Sequence, residues 1–321
     1  MRAVRFHQHG GPEVLQVDEL PTPEPAPGQI RVALAAVGIN YIDIYLRTGL
    51  YSVPSLPAVA GKEGAGIVEA VGPGVVDVAV GQRVAFWDAD GSYADQVLVA
   101  AERAIPVPPE IDFELAAALP LQGMTAHYLT RTIRPLGPGD TVLIHAVAGG
   151  VGLLATQMAK LAGAEVLGTC STEEKAAIAR SAGADHVILY TQTDFVDSVL
   201  AKTAGRGVDL VLDSVGRATF EGSVRATRER GHIVVFGQSS GEPDPIRPRR
   251  ILGSRTLTSA SLFAYARDRE ELLERAGEVF RWAAEGKLEA RIDRVLPLDQ
   301  AAEAHRLLES RRTSGKLLLR P

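Results

Sequence analysis

The segment from Thr141 to Lys160, TVLIHAVAGGVGLLATQMAK, constrains the fold of this chain more than any other stretch. It begins with a short apolar run bounded by Gly139-Asp140, which is typical of a buried parallel strand. A glycine cluster follows, and an amphipathic segment then repeats apolar residues at helical spacing. A side chain at these glycines would keep the backbone away from a pyrophosphate, or the helix away from the strand. The segment therefore predicts a strand, a tight turn and a helix that bind a dinucleotide.

Strands and helices continue to alternate after this segment. The later predicted strands are Glu165–Thr169, His186–Leu189, Val208–Asp213, His232–Phe236 and Arg255–Ala260. Helical stretches separate most of them, so the six strands predict an α/β domain with a doubly wound parallel sheet. Its ligand is expected outside the carboxyl ends of the strands.

The first 120 residues differ from the rest of the chain in composition and in hydrophobic pattern. They are rich in Gly, Pro and Val and contain short alternating runs, which predicts an all-β, barrel-like domain. After residue 265 the chain is expected to return to this domain through a helix over Arg267–Glu285 and a final strand over Gly315–Leu319. We therefore expect one domain of residues 1–120 and 266–321, and a second of residues 121–265.

Composition excludes several classes of protein. The net charge of −5 argues against general affinity for nucleic acid or an anionic membrane. Without a run of about 18 apolar residues or a signal-peptide core, a soluble, cytoplasmic protein is expected. The single Cys170 excludes a disulfide framework and any metal cluster built from cysteines.

The pattern G-D-x-x-L-x-x-x-x-A-G-G-x-G-x-x-x-x-Q-x-x-K, from Gly139 to Lys160, resembles the quinone oxidoreductase and zeta-crystallin branch of the medium-chain dehydrogenases/reductases. Val147 replaces the first glycine of G-x-G-x-x-G, where this branch usually has a smaller residue. The resemblance covers essentially the whole chain. It implies a six-stranded Rossmann sheet, a GroES-like β-barrel domain, substrate binding in the cleft between the domains, and a homodimer formed through the sheet edge near residues 253 to 263.

Two further motifs resemble the zinc alcohol dehydrogenases but lack their metal ligands. In Gly61-Lys62-Glu63-x-x-Gly66, Lys62 replaces the family's His, and in the segment from Gly38 to Asp43, Asn40 occupies the position of a zinc-binding Cys. An ammonium and an amide cannot replace imidazole and thiolate around Zn²⁺. No Cys-x-x-Cys run forms a structural zinc lobe either, so no metal is expected.

Polar residues at the same place are the catalytic candidates. Asn40, Tyr45 and Tyr51 could donate hydrogen bonds to a carbonyl oxygen that gains negative charge as hydride arrives. The two tyrosines could instead only pack, with half-buried rings. Asp43 is interpreted as an orienting carboxylate, because an Asp with an ordinary pKa near 4 is a poor proton donor at neutral pH. Lys62 and Glu63 are expected to pair with groups in the cleft wall rather than to react.

The end of the second strand of the α/β domain indicates which dinucleotide binds. It reads Gly168-Thr-Cys-Ser171-Thr, with no acid before Glu173, whereas an NAD enzyme usually has an acid there for the ribose hydroxyls. The resemblance matches Lys175, Tyr190 and Arg311 to residues that hold a 2′-phosphate, which implies NADPH. The alternative for Lys175 is a solvated helix face.

The remaining cofactor contacts are implied by the resemblance. Thr125 matches a threonine beside the nicotinamide, Phe236, Gly237 and Gln238 end a strand near its ribose or carboxamide, and Leu262 and Phe263 close over the ring. Ser214 lines the adenosine or pyrophosphate side. The glycine turn and the second strand contribute Ala148, Gly149, Gly150, Val151, Gly152 and Ser171. His127 and His145 have no matched ligand partners and are interpreted as structural.

Together these features predict a zinc-independent oxidoreductase that transfers hydride or electrons from NADPH to a quinone in the interdomain cleft. Two alternatives stay open: an NADPH-dependent reductase of enones or 2-alkenals, and a non-catalytic NADPH-binding protein, crystallin-like or RNA-binding. The acidic balance and the lack of a basic patch weigh against RNA.

Overall fold

The computed structural model describes residues 1–321, which separate into two compact units. The first unit comprises Met1–Gln122 and Ala266–Pro321, and the second comprises Gly123–Tyr265. The sixteen strands in chain order are β1 (Arg2–Phe6), β2 (Leu15–Glu19), β3 (Gln29–Ile39), β4 (Ala58–Val59), β5 (Glu63–Val71), β6 (Arg83–Phe86), β7 (Gln96–Ala100), β8 (Ile105–Pro106), β9 (Thr141–Ile144), β10 (Glu165–Cys170), β11 (His186–Leu189), β12 (Val208–Asp213), β13 (Thr227–Val235), β14 (Thr256–Ser259), β15 (Ile292–Pro297) and β16 (Lys316–Arg320).

Ten α-helices connect these strands. They are α1 (Tyr41–Thr48), α2 (Phe113–Ala118), α3 (Pro120–Tyr128), α4 (Gly150–Leu161), α5 (Glu173–Ser181), α6 (Phe195–Lys202), α7 (Phe220–Ala226), α8 (Pro248–Ile251), α9 (Arg269–Ala284) and α10 (Ala301–Glu309). No helix is long and apolar enough to cross a membrane.

The second unit contains a six-stranded sheet in the order β11-β10-β9-β12-β13-β14, and every neighbouring pair in it is parallel. This doubly wound α/β topology was predicted from the alternating pattern and is confirmed. Its chain order reverses between β9 and β12, so the carboxyl ends of these two strands border the crevice where such sheets bind ligands. The prediction for β13 was wrong at its start: the strand begins at Thr227 rather than His232, and an irregularity in its pairing with β12 absorbs the extra residues.

The first unit contains a seven-stranded sheet in the order β15-β16-β3-β5-β6-β8, with β7 also paired to β3, and a three-stranded sheet in the order β2-β1-β4. Strand β16 pairs antiparallel with β3, so the C-terminal segment completes a sheet begun by the N-terminal residues. Apolar residues of these strands form one buried core, which includes Ile30, Val37, Phe86 and Leu319. This sheet holds Ile39 next to Leu317, and so brings the start of α1 close to the start of β16.

Candidate active site

The turn between β9 and α4 has the geometry expected for a dinucleotide-binding loop. Ala146 adopts a left-handed conformation with φ of 51°, and Gly149 caps α4 with φ of −77° and ψ of 170°. The helix begins at Gly150, so its first-turn N–H groups have no carbonyl partner within the helix. Together with the helix dipole, these donors suit an anionic group at the turn.

Gly152 allows the helix to approach the turn closely. A Cβ atom at this position would lie 2.4 Å from the carbonyl oxygen of Ala146 and 2.8 Å from that of Val147. Any larger residue would therefore push α4 away from β9. The close helix–strand approach inferred from the glycine pattern is present at this residue.

Val147, which departs from the glycine pattern, is accommodated by a second glycine. A Cβ atom at Gly168, on the neighbouring strand β10, would lie 2.5 Å from Cγ2 of Val147. Val147 itself is fully buried, and its N–H donates to the carbonyl of Thr169 at 3.1 Å. The larger side chain thus fills the space that a side chain on β10 would otherwise occupy.

Residues predicted to hold a 2′-phosphate lie at the carboxyl ends of β10 and β11. The N–H of Tyr190 donates to the carbonyl of Cys170 at 3.2 Å. The hydroxyl of Thr191 donates to the backbone carbonyl of Ser171 at 2.9 Å. Tyr190 is 45% exposed, and Lys175 follows in the first turn of α5. Of the predicted set, Ser171, Lys175 and Tyr190 are therefore on adjoining segments of the second unit. Arg311 belongs to the first unit, where it follows α10.

Asp213, at the carboxyl end of β12, fixes the turn that contains Ser214. Its buried carboxylate accepts the N–H groups of Val215 and Gly216, at 2.9 and 3.0 Å, and the hydroxyls of Thr219 and Ser223. Asp213 was not among the predicted site residues. An acid directly before Ser-Val-Gly at a strand end was the available signal.

His145 lies next to this carboxylate system and is buried against two hydroxyl groups. Its Nδ1 lies 2.9 Å from the hydroxyl of Thr169, and its Nε2 lies 3.0 Å from that of Ser223. Burial lowers the pKa of the imidazole, so the ring is neutral, and it bridges strand β10 and helix α7.

The other predicted cofactor-binding residues also lie in the second unit. Phe236, Gly237 and Gln238 follow β13, and a Cβ atom at Gly237 would meet the carbonyl of Ser214 at 2.8 Å. Leu262 is buried, whereas Phe263 is 46% exposed. Thr125 lies in α3 with 6% exposure, and Ala148 is buried in the glycine turn. Val151 follows Gly150 in the first turn of α4.

In the first unit, Asn40 joins a buried cluster with Glu63 and Lys316. The Lys316 ammonium donates to Asn40 Oδ1 at 2.7 Å and to Glu63 Oε2 at 2.5 Å. Asn40 Nδ2 donates to Glu63 Oε2 at 2.8 Å, and the N–H of Leu121 donates to Glu63 Oε1 at 2.6 Å. All three side chains are almost fully buried. Glu63 therefore forms an ion pair, as expected, but its partner was not foreseen.

A second chain of buried hydrogen bonds leads to Asp43. Arg47 donates to His305 Nδ1 at 3.1 Å, and because a guanidinium is never an acceptor, the imidazole proton is on Nε2. That Nε2–H donates to the Tyr93 hydroxyl at 3.0 Å, which in turn donates to Asp43 Oδ2 at 3.0 Å. The N–H of Asn40 also donates to Asp43 Oδ2, at 2.8 Å.

Burial shifts two pKa values in this chain in opposite directions. It raises the pKa of Asp43 to about 7 against the effect of its hydrogen bonds, and Asp43 Oδ1 has no hydrogen-bond partner. It lowers the pKa of His305 to about 3, with the Arg47 charge acting in the same direction. Asp43 has the orienting contacts that the sequence suggested, but the premise of an ordinary pKa near 4 was wrong, because the side chain is out of water.

Tyr45 and Tyr51 lie together on and just after α1. Their ring centroids are 5.2 Å apart in an edge-on arrangement, and Tyr51 is 42% exposed. Lys62 lies 2.8 Å from Asp90 and 3.4 Å from Asp88, so it forms the ion pairs expected of it. Whether either tyrosine contacts a substrate stays a prediction.

Similarity to known proteins extends over the whole chain. Residues 26–109 match the family model for the alcohol dehydrogenase GroES-like domain, and residues 182–319 match the model for zinc-binding dehydrogenases. The chain is 44% identical to quinone oxidoreductase 1 of Escherichia coli over 323 residues, which cover 99% of each chain. The chain belongs to the quinone oxidoreductase family of the medium-chain dehydrogenases/reductases.

Two further comparisons extend this assignment. The crystal structure of E. coli quinone oxidoreductase complexed with NADPH matches the whole of both chains, with a TM-score of 0.98 and 43% identity. The 2-haloacrylate reductase of a Burkholderia species is 40% identical over 328 residues, covering 99% of this chain and 98% of its own. The resemblance read from Gly139 to Lys160 and the predicted fold class are thereby confirmed, including the GroES-like domain.

One matching family model is described as zinc-binding, but the residues of this chain do not fit a zinc ion. The Asn40 side chain is hydrogen-bonded to the Lys316 ammonium and to the Glu63 carboxylate. Lys62 forms ion pairs with two aspartates. No group of three or more His, Cys, Asp or Glu side chains is placed to hold a metal ion. The donor set of a structural or catalytic zinc site is therefore not assembled.

Proposed function

We propose that this protein is a zinc-independent oxidoreductase that uses NADPH to reduce a quinone. The observation that carries the proposal is the pair of strand ends at β10 and β11, which present Ser171, Lys175 and Tyr190 and no acid before Glu173. A free ribose diol would be recognised by an acid at this position, whereas a 2′-phosphate suits a hydroxyl and a cation. Whole-chain similarity to an enzyme solved with NADPH supports the same cofactor.

Several residues of the second unit would bind NADPH and keep the binding turns in one conformation. The first-turn N–H groups of Gly150, Val151 and Gly152 suit the pyrophosphate, and the close approach at Gly152 keeps them near it. Asp213 keeps the turn from Ser214 to Gly216 in one conformation. When bound, NADPH supplies the hydride.

The first unit would supply stabilisation for the oxygen that becomes negative. The Asn40 amide nitrogen carries two hydrogens, and Glu63 accepts one of them, so the second can donate to a substrate oxygen. Tyr45 and Tyr51 are the further candidates for such donation. The cleft between the two domains and the contribution of Arg311 to phosphate binding stay predictions.

A second function, reduction of an activated carbon–carbon double bond, has a specific observation in its favour. A relative that is 40% identical over nearly its full length is named 2-haloacrylate reductase. Hydride addition to such an acceptor also places charge on a carbonyl or carboxyl oxygen, so the same amide donor would serve both reactions.

The test is the rate of NADPH oxidation with a panel of quinones and enones, after exhaustive chelation, with NADH in parallel. We expect activity to survive chelation and NADPH to be preferred. Lys175→Glu should lower kcat/KM for NADPH about tenfold or more, because it removes one charge-assisted hydrogen bond and adds a like charge. The control Lys202→Glu changes an exposed lysine at the end of α6 and should alter neither cofactor's kinetics.

Three results would contradict the proposal: preference for NADH, loss of activity on chelation, or NADPH binding without turnover of any acceptor. The last result would favour the non-catalytic binding role. The class of acceptor that is reduced faster decides between quinone and enone reduction.

We also propose a homodimer formed through β14, which is an edge strand of the six-stranded sheet and leaves one side of its backbone unpaired. We also propose a cytoplasmic location. Sedimentation that shows only monomer at micromolar concentration would exclude the dimer.

A further inference from the structure

The Lys316 ammonium donates to Asn40, although 276 residues separate them in sequence. Lys316 begins strand β16, whose pairing with β3 brings it to the N-terminal end of α1. Its side chain is 1% exposed, and that of Glu63 is 0% exposed. The ammonium is therefore held among protein groups by the fold and not by flexible contacts at the surface.

The contacts of Lys316 fix which way the Asn40 amide faces. An ammonium only donates, so the oxygen of the amide must face Lys316 and its nitrogen must face the Glu63 carboxylate. A flipped amide would set nitrogen against ammonium and oxygen against carboxylate, and would lose two charge-assisted hydrogen bonds. Gln122 Nε2 also lies 3.4 Å from Asn40 Oδ1, on the same accepting side.

We propose that Lys316 is a positioning residue that acts through Asn40. Together with Glu63 it locks the amide in one orientation, with one N–H used internally and the other left for a substrate oxygen. By donating to the amide oxygen, the ammonium also polarises the amide and makes that second N–H a stronger donor. This inference rests on the proposed function, in which Asn40 donates to the reacting oxygen.

Fold stability alone is a poor explanation for this cluster. Removing two charges from water is costly, and buried ion pairs are often no more stabilising than apolar residues of similar volume. Removing one member would leave the other charge buried and unpaired, which destabilises the fold. A useful experiment must therefore remove both charges together.

The first measurement is made on the amide itself and needs neither substrate nor cofactor. Asn40 is the one asparagine in the chain, so selective ¹⁵N-asparagine labelling gives a single side-chain NH₂ signal. In the parent, we expect two well-separated proton shifts and slow exchange with solvent. In the neutral-pair variant, Lys316→Met with Glu63→Gln, we expect at least a tenfold faster exchange. Unchanged shifts and exchange would overturn the proposal.

The second measurement is steady-state kinetics with the best acceptor. The neutral-pair variant should lower kcat by about 10- to 100-fold, the range for one or two charge-assisted contacts, while KM for NADPH stays within twofold. The control is Arg320→Met with Glu114→Gln, which removes an exposed ion pair between the same strand and helix α2 and should change nothing.

The decisive comparison repeats the neutral-pair change in an Asn40→Ala background. If Lys316 acts through Asn40, the change should have almost no further effect on kcat there. An equal loss in both backgrounds would show that the pair acts by another route and would overturn the proposal. If the parent reduces no acceptor at all, the proposed function fails, while the NMR measurement still decides whether Lys316 positions the amide.

Discussion

Replacing Asp43 with Asn is expected to change the pH dependence of the unfolding free energy of the first unit. Burial raises the pKa of Asp43 to about 7, and an unfolded Asp titrates near 3.9. Between these values the folded protein holds a proton that the unfolded chain has released. Stability supplied by this group is therefore greatest below about pH 4 and falls as the pH rises towards 7.

The size of this effect follows from the two pKa values. A difference of about three pH units corresponds to about 4 kcal/mol, at 1.36 kcal/mol per unit. The variant lacks the titration, so its unfolding free energy minus that of the parent should rise by about 4 kcal/mol between pH 4 and pH 7. An Asn side chain can still accept the hydrogen bonds from the Asn40 N–H and the Tyr93 hydroxyl, so the fold is expected to persist.

Urea titration followed by tryptophan fluorescence suits this measurement, because both tryptophans, Trp87 and Trp282, belong to the first unit. Taking the difference between variant and parent cancels all groups that titrate alike in both. Asp77→Asn, which removes an exposed carboxylate, is the matched control for the loss of one carboxylate charge. A flat difference for Asp43→Asn, or one that falls as the pH rises, would refute the raised pKa.

Three further experiments test the second unit. Gly152→Ala places a Cβ atom against the Ala146 carbonyl, so NADPH affinity measured by fluorescence titration should fall by more than tenfold. Gly168→Ala should lower the unfolding free energy by about 1–3 kcal/mol by overpacking, and adding Val147→Gly, which also removes the Val147 Cβ atom 2.6 Å away, should restore part of it. Ser223→Ala leaves buried groups without a hydrogen-bond partner and should cost about 1–3 kcal/mol in thermal or urea unfolding; no loss would contradict that bonding scheme.

Local sequence was sufficient to predict the nucleotide-binding half of the protein. Strand β9, its glycine turn and helix α4 are consecutive, and each element carries its own periodicity or backbone signal. The Val147 departure was visible as well. Its explanation was not, because Gly168 lies on the next strand and only the parallel pairing of β9 with β10 brings the two together.

The buried polar cluster of the first unit could not be predicted in the same way. Asn40 and Glu63 were recognised as substitutions at a metal position or as ion-pair formers, but Lys316, Tyr93 and His305 come from distant parts of the chain. No spacing rule connects them. The pKa of Asp43 was misjudged for the same reason, since the burial that raises it depends on elements that pack together only in the folded protein.

Counting charges in this cluster leads to one further step. Arg47 and Lys316 supply two positive charges, while Asp43, Glu63 and Glu309 can supply three negative ones, and His305 is neutral. One carboxylate is therefore uncompensated. With a pKa raised to about 7 and Oδ1 unpartnered, Asp43 is the group that takes the proton. The cluster that fixes the Asn40 amide thus keeps an exchangeable proton two hydrogen bonds from a neutral imidazole.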